Sequence, residues 1–168
     1  MNAIAFPFPS DSGPAQAPLR VKPSHANMNE LDTITGSIVD AAYRLHEDLG
    51  PGLLESAYEV LLTHALEKRG LTVVRQMPIR FEYDGLVIED GFRIDLLVQQ
   101  RVVVELKSVE KLAPIHSKQL LTYLRLMKLP VGLLINFGAL TIKEGLHRIV
   151  NNLAAADSTA LRVNRTPQ

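Results

Sequence analysis

Asp95, Glu105 and Lys107 follow the pattern D-x9-E-x-K, with the last two set in the otherwise apolar run VVVELKSVEKL (102–112). Residues two apart on an extended strand point to the same face. A charge buried without a partner costs several kcal/mol, so these side chains are either paired for structure or used for chemistry. Asp95 lies in GFRIDLLV (91–98), and it shares a face with Glu105 only if the hairpin pairs positions that sum to an even number. A connection centred on Gln100 sets Asp95 opposite Glu105, whereas a two-residue loop at 99–100 would separate them. Acids directly across an antiparallel pair repel. A hard cation such as magnesium, often held by only two carboxylates and waters, would answer that repulsion. The lysine could then orient or deprotonate an attacking water. The plainer reading is an ion-pair cluster in which Asp95 meets Arg93 or Lys107, and on the strands alone neither reading prevails.

Such a set needs a sheet flanked by helices, and the apolar pattern supplies both. Leu31, Ile34, Ile38, Ala41, Ala42 and Leu45 recur at helical spacing before a stop at Gly50. A second helix is expected from about Leu53 to Lys68, closed by Gly70. Extended segments follow at about 72–83, 86–98 and 102–108, the first two joined by the turn signal Asp84-Gly85. In the second, alternation sends Phe92, Ile94, Leu96 and Val98 one way and Arg93, Asp95 and Leu97 the other. A helix from Pro114 to Lys128, the strand VGLLINF (131–137) and a last short strand or turn near 141–150 complete the core. The order ααβββαβ plus a short closing strand describes an α/β fold with a central mixed sheet. Residues 1–28 hold half of the ten prolines and read as a disordered tail, as does 154–168, leaving 29–153 as one domain.

Composition narrows the classes. Basic and acidic residues balance at 18 each, so no global charge argues for nucleic acid or membrane. Acids crowd between Glu30 and Glu67, while bases outnumber them from Arg93 to Lys128, which favours a polyanionic ligand only locally. The absence of cysteine excludes a disulfide scaffold, a thiolate zinc site and a cysteine nucleophile, and is ordinary for a bacterial cytosolic protein. His25, His46, His64, His116 and His147 show no zinc spacing, and no P-loop or nucleophile elbow occurs. No apolar run approaches ~18 residues, and the N-terminus lacks a signal-peptide pattern, so cytoplasm is the expected location.

Together with GLLESAY (52–58), these blocks resemble the GxxExxY protein family, a bacterial branch of the PD-(D/E)XK nuclease superfamily. The resemblance spans about residues 30–150 and runs through VVVELKSVEKLAPIHSKQLLTYLRL and VGLLINFG in order. It implies a restriction-endonuclease-like α/β/α core. It further implies Asp95, Glu105, Glu55 and the Leu106 carbonyl as holders of magnesium or manganese, and Lys107 as the catalytic lysine. Gln119 and Tyr123 match a Q-x3-Y element of exonuclease-like members, and Gln119 joins the implied catalytic set. Ile94 stands where the superfamily's name has proline.

Without the resemblance, Glu55 is a carboxylate favoured by the dipole at a helix start. His116, Gln119 and Tyr123 share a helix face that is either an amphipathic boundary or the wall of a cleft. Tyr123, His116, Lys111, Lys118 and Arg93 are the candidate nucleic-acid contacts, although exposed lysines are more often only solvated charges. The expected activity is metal-dependent hydrolysis of phosphodiester bonds, with DNA ahead of RNA. With no appended recognition domain in the pattern, specificity is expected to be low or to come from a protein partner or a homodimer. The alternative is a non-catalytic binding module of the same fold acting in DNA repair or defence, which the balanced charge favours.

Overall fold

The computed structural model describes residues 25–152. Its elements are α1 (His25–Leu49), α2 (Glu55–Glu67), β1 (Val73–Tyr83), β2 (Leu86–Val98), β3 (Val102–Lys107), α3 (Pro114–Met127), β4 (Val131–Asn136), α4 (Ile142–Gly145) and β5 (Leu146–Val150). The order matches the one expected, with the one-turn α4 added before the closing strand. Helix α1 begins at His25, so the last four residues of the expected N-terminal tail are helical. The remainder of that tail, and the C-terminal one, lie outside the described residues.

The five strands lie in sequence order, antiparallel except for the β3–β4 pair. A parallel neighbour requires a crossover, and α3 supplies it. Each face of the sheet carries its own apolar cluster. On one side Ile34, Ile38 and Ala42 of α1 and Tyr58, Leu62 and Leu66 of α2 pack on Leu96, Val98, Val102, Val104, Leu133 and Ile135. On the other, Leu120, Tyr123 and Leu124 of α3 pack on Leu97, Val103 and Leu134. Gly132 allows α3 this close: a Cβ there would stand 2.9 Å from a Leu120 methyl. The result is the restriction-endonuclease-like α/β/α sandwich expected from the sequence.

The β2–β3 register pairs Leu96 with Val104, Leu97 with Val103 and Val98 with Val102, sums that are even, as a connection centred on Gln100 requires. Gln99 and Gln100 both take positive φ (51° and 53°), and the Arg101 N–H reaches the Val98 carbonyl at 3.0 Å. This is the hand of turn that matches strand twist. The Thr72 hydroxyl bonds the Gln99 side chain at 2.8 Å and ties the turn to the start of β1.

Simple alternation along β2 does not hold. Leu96 and Val98 join the α1/α2 cluster, but Ile94 and Phe92 join the α3 cluster together with Leu97. The change of face occurs at Asp95. Its neighbour β1 changes face in step, because Val73 packs on the α1/α2 side and Met77 and Ile79 on the α3 side. Gln76, between them, has φ 49°. A residue in that left-handed conformation interrupts the two-residue period that the alternation rule assumes.

Candidate active site

The β2–β3 ladder ends at Leu96–Val104, one step before Asp95 would pair with Glu105. Instead the Leu106 N–H donates to Asp95 Oδ2 at 2.8 Å, so a side chain takes the place of the next ladder bond. That bond fixes Asp95 beside the Glu105–Leu106–Lys107 segment. Glu105 is buried at 3% exposure, because β4 runs along the other edge of β3 with Leu134 opposite Glu105. Its Oε1 accepts from Lys107 Nζ at 2.9 Å, while Oε2 has no hydrogen-bond partner among the described residues. The same ammonium donates to the Leu106 carbonyl at 2.8 Å and lies 3.8 Å from Glu55 Oε1.

The electrostatics follow from this crowding. Burial, followed by the charge of Asp95, raises the Glu105 carboxyl to about 7 against the pull of Lys107. Asp95 is raised by burial, partly offset by the Leu106 N–H and by Lys107. Burial also opposes the Lys107 ammonium, but the Glu105 hydrogen bond and the charges of Glu105, Glu55 and Asp95 hold its pKa above the ordinary lysine value. Lys107 is therefore a cation at neutral pH.

Glu55 arrives by a separate route. The chain turns between α1 and α2 through Gly50 (φ 67°) and Gly52 (φ 126°), backbone conformations that glycine adopts at least cost. The Tyr58 hydroxyl donates to the Gly50 carbonyl at 2.6 Å and accepts from the Leu53 N–H at 3.3 Å. Its ring stacks on Phe137 with centroids 4.2 Å apart, and the Ser108 hydroxyl donates to the Leu53 carbonyl at 2.7 Å. The loop is thus fastened to the chain just beyond β3, and Glu55, the first residue of α2, is delivered to Lys107.

The sequence profile of the PD-(D/E)XK nuclease superfamily matches residues 32–149. The chain belongs to this superfamily. No curated protein and no solved structure matches it. The matched span runs from within α1 to within β5 and contains every element between them, so the PD-(D/E)XK domain takes in nearly all of the described fold.

On α3 of this PD-(D/E)XK domain, Gln119 Nε2 donates to the Tyr123 hydroxyl. The charges of Glu105, Lys107 and Asp95 all act on Tyr123, whose pKa is raised chiefly by burial. Tyr123 therefore lies within electrostatic reach of the acids, with Gln119 bonded to its hydroxyl. At 2% exposure, however, and packed against Phe92 with centroids 5.3 Å apart, the Tyr123 ring is closed to a polymer; its expected role as a nucleic-acid contact gives way to packing. His116 is drawn into the helix start, where its Nδ1 accepts from the Ala113 N–H at 3.2 Å. Lys111, Lys118 and Arg93 are exposed and take no part in the geometry around Lys107.

Sequence reasoning missed Glu59 and Gln76. Glu59, one turn beyond Glu55 on α2, is buried and accepts from Arg75 Nε at 2.8 Å and Gln76 Nε2 at 2.6 Å. Gln76 Nε2 also reaches Asp95 Oδ1 at 3.3 Å. The i, i+4 spacing of Glu55 and Glu59 puts both on one face of α2 and was the available signal.

Among the described residues, no three His, Cys, Asp or Glu side chains converge as a metal cage. Magnesium does not need one, since it is held by one or two carboxylates, waters and substrate phosphate. The donors at hand are hard oxygens: Asp95, Glu105 and the Leu106 carbonyl, with Glu55 nearby. The partnerless Glu105 Oε2, in a carboxyl pushed up by burial and by a second acid, is what a site built for a cation would contain. The residues fit the group. Among the described residues, no helix is long and apolar enough to cross a membrane.

Proposed function

We propose that the protein is a metal-dependent nuclease that hydrolyses phosphodiester bonds of nucleic acid, DNA ahead of RNA, and that it belongs to the GxxExxY branch of its superfamily. The observation that carries this reading is Glu105: a buried carboxylate with one oxygen on Lys107 and the other without a partner among the described residues, beside a second, half-buried acid. Asp95, Glu105 and the Leu106 carbonyl would hold magnesium or manganese, with Glu55 the further acid. When bound, the metal supplies Lewis-acid polarisation of the phosphoryl oxygen and offsets charge on the leaving oxygen.

The chain's own residues account for the rest. Lys107, protonated, does not act as a base; its ammonium orients the attacking water and meets the charge that develops on the phosphoryl oxygens. Glu105, whose carboxyl is raised to about 7 by burial and by Asp95 in the metal-free protein, would give up that proton on binding the cation. Gln119, anchored on Tyr123, lines the α3 side of the same space.

A second reading, a non-catalytic module that binds nucleic acid with a partner, draws support from the balanced charge of 18 acids and 18 bases. One experiment separates them. The purified chain is incubated with single- and double-stranded DNA and RNA and with magnesium or manganese, beside Glu105→Gln and Lys107→Ala. Cleavage that needs metal and both residues removes the binding-only reading. Equal background in all three proteins removes the nuclease.

A further inference from the structure

We propose that Gln76 is a positioning residue that holds Asp95 in its metal-accepting orientation, an inference that rests on the nuclease reading. Arg75 pairs with Leu96 and Met77 with Ile94, so Gln76 stands across from Asp95 at the point where both strands change face. Gln76 is held at φ 49°, a left-handed conformation that strains a non-glycine residue. Such strain persists where the surroundings over-determine it. Here they do: the amide Nε2 donates to Glu59 Oε2 at 2.6 Å and to Asp95 Oδ1 at 3.3 Å, while the Leu106 N–H holds Asp95 Oδ2.

The chemistry of the donor matters. An arginine or lysine bridging the two acids would neutralise both. A neutral amide fixes Asp95 and leaves its charge for a cation, and Arg75 on the far oxygen of Glu59 deals with the other acid. Gln76 thereby links α2 to the candidate metal ligand. Partners that orient a ligating side chain in this way are worth about 10–100-fold in metal affinity.

The test is manganese binding by calorimetry on the full chain, with no turnover involved. It compares wild type, Glu105→Gln, Gln76→Leu and Gln76→Asn, with a melting curve for each. Asparagine tolerates the left-handed backbone but is one methylene too short to bridge the acids, so Gln76→Asn keeps the fold if Gln76→Leu does not. The expected result is wild-type binding abolished in Glu105→Gln and weakened about tenfold or more in each Gln76 variant that its melting curve shows to be folded at the binding temperature. Wild-type affinity in both Gln76 variants overturns the positioning role and leaves the nuclease reading standing. Wild type that binds no more manganese than Glu105→Gln overturns the metal site itself, and the role of Gln76 with it.

Discussion

Glu59 and Glu105 are buried to a similar degree, 5% and 3% exposed, and Gln76 and Asp95 lie between them. Their surroundings differ. Around Glu59 both oxygens have donors, one of them a guanidinium. Around Glu105 one oxygen has an ammonium and the other has no partner among the described residues, with a second acid close enough to push its carboxyl up. Burial alone therefore does not mark a functional acid. Unfinished hydrogen bonding does, because a fold gains nothing from leaving a desolvated carboxylate short of donors.

The contrast breaks most visibly in activity. Lys107→Ala is expected to lower metal-dependent cleavage by about 10²–10³-fold and Glu105→Gln to reduce it to background, while Arg75→Ala stays near wild type. Steady-state cleavage rates check this, and a collapse in Arg75→Ala would erase the distinction between the two acids.

Stability should move in opposite directions. Glu59→Gln takes the charge away from Arg75 and is expected to cost about 2 kcal/mol, less than a fully buried pair because Arg75 is partly exposed. Glu105→Gln removes an unfavourable carboxylate and should stabilise the metal-free protein at pH 8 by up to a few kcal/mol. Denaturant unfolding of both variants measures the two signs, and equal signs would collapse the comparison.

The pH dependence sharpens it further. Because the folded Glu105 carboxyl sits at about 7, above its ordinary 4.5, the folded state holds that proton longer than the unfolded chain does. Its contribution to stability is fully present below about 4.5 and is lost as pH rises through 7. Subtracting the unfolding free energy of Glu105→Gln from that of metal-free wild type should leave a difference that falls across this window; a flat difference contradicts the raised pKa. At Arg75, alanine leaves the buried Glu59 carboxylate with one donor fewer and should cost about 1–3 kcal/mol of stability, read from the same unfolding curves.

Much of this was legible in the sequence, for identifiable reasons. The helices declared themselves through Leu31, Ile34 and Ile38 and through Tyr58, Leu62 and Leu66 at helical spacing, and Asp84-Gly85 marked its hairpin. The parity argument reduced the β2–β3 register to two choices, and the structure takes the one centred on Gln100. The face change at Asp95 was not legible. It depends on a left-handed glutamine in the neighbouring strand, and glutamine carries no turn signal. Tyr123 was misjudged for a related reason: its position on α3 shows which way it faces, but only the packing of Phe92 shows that it is covered.

The motif Gly52-x-x-Glu55-x-x-Tyr58 also divides labour in a way that bears on how such patterns are used. The glycine serves a backbone bend, the tyrosine fastens that bend through Gly50 and Leu53, and Glu55 alone touches the ion cluster. Two of its three letters are thus under folding pressure whether or not any bond is cut. A descendant that had lost its chemistry would still carry the glycine and the tyrosine, so the motif as a whole diagnoses architecture. On the proposed nuclease reading, the informative letters for surviving activity are Glu55 and, further along, Asp95, Glu105 and Lys107.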